Sequence, residues 1–84
     1  MQNSRNKHLL NEAGLEFSDI SSEVFREYIF PNNEKVHILS PLKLNVSKSG
    51  GHRILDNAGV SHYIPAGWIH LRWQARKGKP NFVR

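Results

Sequence analysis

The segment from Trp68 to Arg76 alternates between polar and apolar residues and carries the most suggestive chemistry in the chain. Successive side chains of a β-strand point to opposite faces, so residues two apart share a side. Because aromatic rings stack on bases and cations neutralise phosphates, one face predicts a surface for single-stranded DNA or RNA. This face is the row Trp68, His70, Arg72, Gln74 and Arg76. The alternative is that Trp68 caps the edge of the core and the cations are only solvated.

Further cations extend the predicted surface beyond this strand. Lys77 and Lys79 lie in the turn that follows it, and Lys48 and Arg53 flank a second turn at residues 49–51. The two glycines of that second turn can expose backbone N–H groups to an anion, which predicts a resting place for a phosphate. An ordinary hairpin turn is the alternative.

Positive charge is concentrated in the second part of the chain. The net charge is +5 over 84 residues. Residues 1–34 hold three Lys or Arg against six acids, whereas residues 35–84 hold nine against the single acid Asp56, a net of +8. Such asymmetry favours an anionic partner, either nucleic acid or an acidic protein, although a solvated basic face is the simpler explanation.

The histidines support a different hypothesis, metal-free cleavage of RNA. His52, His62 and His70 lie on neighbouring predicted strands, and two of them could act as general acid and base beside a cation. No short-spaced pair of metal ligands is present, so no metal site and no cofactor are predicted. The chain has no cysteine and no Gly-x-Ser-x-Gly sequence. A catalytic role is therefore not the favoured class, and scattered strand histidines are the alternative.

A third hypothesis concerns residues 60–68, which combine apolar residues with Tyr63 and Trp68. Tyrosine, tryptophan and arginine dominate the energetics of protein interfaces. The segment therefore predicts a protein-docking surface, with the basic residues steering an encounter with an acidic partner. A core strand followed by its turn explains the same residues.

Short strands are predicted to position all of these side chains. The pattern alternates at residues 23–30, 35–39, 42–47, 52–55, 60–64 and 68–76, with a further short strand at 81–83. Turn residues separate the strands, and Pro41 predicts an edge, a bulge or a break. A spacing of about ten residues indicates a mainly β fold, either an antiparallel meander or a five-to-six-stranded barrel. An open α+β sheet covered by a short helix at residues 8–13 is the alternative.

The length of 84 residues predicts one domain, with a polar N-terminal segment at 1–22 and a β domain at 23–84. A core this thin would gain stability from a partner or an oligomer. No apolar run approaches the roughly 20 residues that cross a membrane, and the N-terminus lacks the apolar stretch of a signal peptide. We therefore expect a cytoplasmic protein.

Residues 50–54 (Gly-Gly-His-Arg-Ile) and 59–68 (Gly-Val-Ser-His-Tyr-Ile-Pro-Ala-Gly-Trp) resemble short uncharacterised proteins of tailed bacteriophages, over about residues 23–84. The resemblance implies an accessory protein that acts on host or phage nucleic acid in the host cytoplasm, or an inhibitor of a host enzyme. It includes no motif with an assigned chemistry, so no residue role follows from it.

The sequence as a whole thus predicts a non-catalytic nucleic-acid-binding β module. Docking on a host enzyme is the second hypothesis, and a histidine ribonuclease is the third.

Overall fold

The computed structural model describes residues 15–78, which form two antiparallel sheets. The strands are β1 (Ser18–Asp19), β2 (Glu23–Ile29), β3 (Lys35–Leu39), β4 (Pro41–Val46), β5 (His52–Asp56), β6 (Ser61–Ile64) and β7 (His70–Ala75). The first sheet has the order β1-β4-β5-β6 and the second has the order β3-β2-β7. A mainly β fold is therefore confirmed. The helix predicted at 8–13 and the strand predicted at 81–83 lie outside the described residues.

A single residue, Ser40, carries the chain from the second sheet into the first. Its φ of 48° lies in the left-handed region that residues other than glycine seldom adopt. The Ser40 N–H donates to the Val24 carbonyl at 2.8 Å, and its carbonyl accepts from the Asn57 N–H at 2.9 Å. Of the alternatives predicted for Pro41, a strand break and an irregular register are found here: β3 ends at Leu39 and β4 starts at Pro41, and the register of β4 with β5 shifts between Pro41 and Lys43.

The two sheets do not close into a barrel within residues 15–78, which corrects one of the predicted architectures. In this part of the chain β6 pairs with β5, and β7 pairs with β2. Each of these two strands therefore keeps one edge that no described strand covers.

Residues 15–78 contain no helix that is long and apolar enough to cross a membrane.

The core lies between the sheets and is built from inward-facing side chains of the strands together with Ile20, which follows β1. Its fully buried members are Ile20, Tyr28, Ile38, Leu44, Ile54 and Ile64. Phe30, Val36, Leu71 and Trp68 pack partly buried against them. Ile20 precedes the predicted domain boundary at residue 23, so the core includes a residue of the polar N-terminal segment.

Candidate functional site

The polar row predicted on the last long strand is formed in part. His70, Arg72 and Gln74 are exposed on one face of β7, and the residues between them are half-buried on the other. The alternation predicted from the sequence is therefore found from His70 onward. These three side chains face solvent on the outer side of the second sheet.

The cations after β7 are also exposed. Arg76 donates from Nε to the Ser21 carbonyl at 3.1 Å, and its backbone N–H donates to the Ser22 carbonyl at 2.7 Å. Lys77 lies exposed in the following turn, and Lys79 is outside the described residues. Arg76 is thus anchored to the segment before β2 and does not continue the row freely into solvent.

Trp68 does not belong to the row, which corrects the sequence prediction. The half-buried indole packs edge-on against Tyr28 and His52, with ring centroids 4.8 and 4.7 Å apart. Strand alternation begins only at His70, because the chain before it is irregular and includes Gly67 at a φ of 124°. Trp68 therefore covers the core, as in the simpler of the two interpretations.

The aromatic residue beside the exposed β7 side chains is Phe25, which the sequence analysis missed. Phe25 pairs with Gln74 of β7 and with Leu39 of β3. Its ring stacks on His37 at 4.9 Å between centroids, and the Arg72 guanidinium lies over it at 5.2 Å. Because β3 and β7 flank β2 on opposite sides, neighbouring side chains occupy both faces of the ring. The period-two pattern of β2 contained the signal, but the sequence does not say which strand lies next to it.

Glu27 places a negative charge at the centre of this sheet face. Its carboxylate oxygens lie 3.1 Å from Nε of Arg72 and 3.1 Å from Nδ1 of His37. An acid from the first part of the chain therefore neutralises a cation that was predicted to hold a phosphate. The charge separation seen along the sequence is partly cancelled in space.

A buried polar network extends from β2 to His52 of β5. The Glu23 carboxylate accepts hydrogen bonds from Arg26 at 2.9 and 2.7 Å. Arg26 also donates to the Tyr28 hydroxyl at 3.3 Å, and that hydroxyl lies 2.6 Å from Nδ1 of His52. A guanidinium can only donate, so the Tyr28 hydroxyl proton is free to be donated to Nδ1 of a neutral His52 whose own proton is on Nε2. Burial, reinforced by the Arg26 charge, lowers the pKa of His52 to about 4.

The three histidines proposed for RNA cleavage have separate surroundings. Nε2 of His62 lies 2.8 Å from the Asp56 carboxylate, and this hydrogen bond is the main cause of the lowered pKa of Asp56. His52 is engaged with Tyr28, and His70 lies exposed on the second sheet. Among residues 15–78 no group of three or more His, Asp or Glu residues could hold a metal ion. No hydrogen bond or ring contact joins two of these imidazoles within residues 15–78, so RNA cleavage stays a prediction without geometric support there.

The first sheet presents an aromatic side chain, Tyr63, that is more exposed than Phe25 or Trp68. Tyr63 exposes 51% of its surface and lines a groove of about 810 Å³. We call this site the Tyr63 groove and define it by five of its lining residues: Ser47, Lys48, Ser49, Arg53 and Tyr63. Two cations predicted from the sequence, Lys48 and Arg53, therefore meet here.

Cross-strand pairing positions the side chains of the groove. Arg53 of β5 lies between its partners Asn45 of β4 and Tyr63 of β6. The guanidinium lies over the Tyr63 ring at 5.5 Å and donates from Nη1 to the Asn45 side-chain oxygen at 2.8 Å. Asn45 is buried and donates in turn to the Glu16 carbonyl at 2.8 Å. Asn45 thus orients Arg53 toward the ring.

Three hydroxyl groups converge at the end of the groove nearest the hairpin. The Tyr63 hydroxyl oxygen lies 3.1 Å from Oγ of Ser49 and 3.5 Å from Oγ of Ser47, and the two serine oxygens are 3.0 Å apart. The hydrogen bonds from Ser47 and Ser49, with a smaller effect of the Arg53 charge, lower the pKa of Tyr63. This surrounding therefore favours negative charge on an oxygen.

The glycine turn that leads into β5 makes room for the tyrosine ring. Gly50 adopts a φ of 93° and donates its N–H to the Ser47 carbonyl at 2.9 Å, closing the predicted turn. A Cβ added at Gly51 would lie 2.7 Å from Cζ of Tyr63 and 2.9 Å from the Ile64 carbonyl oxygen. Only glycine therefore lets the Tyr63 ring cross the strand at this point.

The two residues of the docking hypothesis lie on different sides of the first sheet. Trp68 contacts His52, whereas Tyr63 contacts Arg53. His52 and Arg53 are neighbours on β5, so their side chains point to opposite faces. Tyr63 and Trp68 do not form one patch.

The chain matches no protein-family model, no curated protein and no solved structure.

Proposed function

We propose that the protein binds single-stranded nucleic acid without catalysis, through the Tyr63 groove. The observation that carries this proposal is the exposed Tyr63 ring beside Arg53 and Lys48, neither of which makes a salt bridge with a carboxylate within residues 15–78. Stacking of a base on an aromatic ring contributes about 1–3 kcal/mol, and cations neutralise the phosphates next to it. One groove thus offers both of the interactions that a single strand needs.

The outer face of the second sheet fits a nucleic-acid strand less well. Arg72 is paired with Glu27, and the faces of the Phe25 ring are taken by Arg72 and His37. A base could stack there only after one of these neighbours moved. In this proposal the remaining predicted cations and polar groups act as a weaker, secondary track: His70, Gln74, Arg76, Lys77 and Lys79.

Titration of a fluorescent single-stranded oligonucleotide by anisotropy tests the proposal. Tyr63→Ala is expected to weaken binding about 5-fold to 150-fold, the equivalent of about 1–3 kcal/mol of lost stacking. Arg53→Gln should also weaken binding, while the charge-matched Arg72→Gln on the other sheet should leave it within about twofold. If neither DNA nor RNA binds at low salt, or if Arg72→Gln is the more damaging change, the proposal is wrong.

Docking on an acidic protein is a second candidate, and one observation favours it. Leu39 exposes 66% of its surface beside Phe25 on the outer face of the second sheet, and the cation Arg72 lies on the other side of Phe25. A purification from nuclease-treated host lysate should then recover one stoichiometric acidic protein. Leu39→Asp should lose that protein but keep its affinity for oligonucleotides, which separates the two candidates.

A further inference from the structure

The hydroxyl groups of the Tyr63 groove are not explained by base stacking or by general attraction to phosphates. Ser47, Ser49 and Tyr63 place three hydroxyl oxygens within 3.0–3.5 Å of one another at the surface. In the unbound protein these groups satisfy each other. Each can instead turn its proton to an acceptor that enters the groove, because a hydroxyl hydrogen rotates freely.

The charges around the hydroxyl groups suit an anion. The anchored Arg53 uses Nη1 for Asn45, which leaves the other N–H groups of its five donors for a ligand. Lys48 lines the same groove from the turn that carries the two serines. The carboxylate that lines this groove is that of Glu16, so two cations face one acid among its described lining residues.

We infer that the groove recognises the terminal phosphate monoester of a nucleic-acid strand. The hydroxyls of Ser47, Ser49 and Tyr63 donate hydrogen bonds to the phosphate oxygens. The inference rests on the proposed function and adds the end of the strand as the preferred ligand. A terminal monoester presents three acceptor oxygens and about −1.5 to −2 charge, whereas an internal phosphodiester offers two free oxygens and one charge. Three hydroxyls and two cations match the monoester in the number of donors and in charge.

The lowered pKa of Tyr63 is consistent with this inference, because the same groups that stabilise a negative phenolic oxygen would stabilise a phosphate oxygen. The ring and the hydroxyl of Tyr63 then have separate roles. The ring stacks on the terminal base, and the hydroxyl binds the phosphate attached to it. Replacing only the hydroxyl separates the two contributions.

The test uses one oligonucleotide sequence with a 5′-phosphate, with a 3′-phosphate, or with hydroxyls at both ends. The wild-type protein is expected to bind one phosphorylated form about tenfold or more tightly than the unphosphorylated form, because hydrogen bonds to charged groups are among the stronger ones. Tyr63→Phe and the double variant Ser47→Ala/Ser49→Ala should reduce this preference to less than about threefold. Both should keep the affinity for the unphosphorylated strand. Ser61→Ala, on the same strand as Tyr63 but outside the lining of the groove, is the matched control and should keep both the affinity for the unphosphorylated strand and the preference for the phosphorylated form.

The outcomes separate this inference from the proposed function. Equal binding of all three strands would overturn the inference and leave single-strand binding intact, whereas no binding of any strand would overturn both. If Tyr63→Phe and the double serine variant still prefer the phosphorylated strand, the hydroxyls of Ser47, Ser49 and Tyr63 are not the groups that bind the phosphate. A phosphoserine peptide that binds as tightly as the phosphorylated strand would overturn the assignment to a nucleic-acid end.

Discussion

The Arg26 guanidinium lies in a buried chain of polar groups that ends at half-buried His52. Glu23 balances its charge through two hydrogen bonds, and Tyr28 relays the chain to Nδ1 of His52. Removing one partner of such a buried pair typically costs about 3–5 kcal/mol, because the other charge stays desolvated. Arg26 is therefore a structural cation, and its sequence position in a polar-looking strand gives no hint of that.

The pKa of His52 predicts that the protein loses stability in mild acid. The folded-state value of about 4 lies below the usual 6.5, so the unfolded chain takes up more protons between these two pH values. The contribution of neutral His52 to the free energy of unfolding is fully present above about pH 6.5 and is lost as the pH falls toward 4. Thermal unfolding at pH 7.5, 6.0 and 5.0 measures the loss. His52→Asn keeps an acceptor for Tyr28 but cannot titrate, so its unfolding temperature should fall less; an equal fall would contradict the assignment.

Among the elements, the junction between β3 and β4 depends on the backbone of Ser40. Its left-handed φ of 48° is held by hydrogen bonds to Val24 and Asn57. Since left-handed geometry costs residues other than glycine about 1–2 kcal/mol, Ser40→Gly should be neutral or stabilising by up to about 1 kcal/mol. Ser40→Val, whose branched Cβ is least tolerated there, should destabilise by about 2 kcal/mol. Chemical unfolding measures both changes, and a Val variant as stable as the Gly variant would argue against strain at this residue.

The strands and their pairing explain why parts of the fold can be predicted from the sequence and others cannot. Alternation located β2 and β7 within two residues of their observed ends, because a half-buried strand imposes a period of two on its own sequence. The sequence prediction places Trp68 in the wrong row, because it extends the alternating pattern through the irregular residues before His70. Trp68 lies two positions before His70, so the pattern assigns both residues to one face. Phe25 was missed because its contact with Arg72 depends on β2 and β7 being neighbours, a long-range pairing that local patterns do not encode.

For the whole molecule, the positive charge is less concentrated in space than along the sequence. Glu27 pairs with Arg72, and Asp19 lies opposite Lys43 in the pairing of β1 with β4. Two acids of residues 1–34, Asp19 and Glu27, therefore lie beside cations of the basic part. Lys48 and Arg53 line one groove, and neither forms a salt bridge with a carboxylate within residues 15–78, so the proposed binding is concentrated on one side of the first sheet.

Salt dependence measures how much of that charge takes part in binding. Each phosphate neutralised on a single strand contributes a slope of about −0.7 to a plot of log K against log salt concentration. Contacts from Lys48 and Arg53 alone predict a slope of about −1.4, whereas engagement of Arg72, Arg76 and Lys77 as well predicts about −3.5. Anisotropy titrations between 50 and 300 mM salt, with a strand that has hydroxyl ends, give this slope. Arg53→Gln should reduce its magnitude by about 0.7 and Arg72→Gln should leave it unchanged. A steep slope that both variants reduce equally would place the strand across both sheets and remove the special role of the Tyr63 groove.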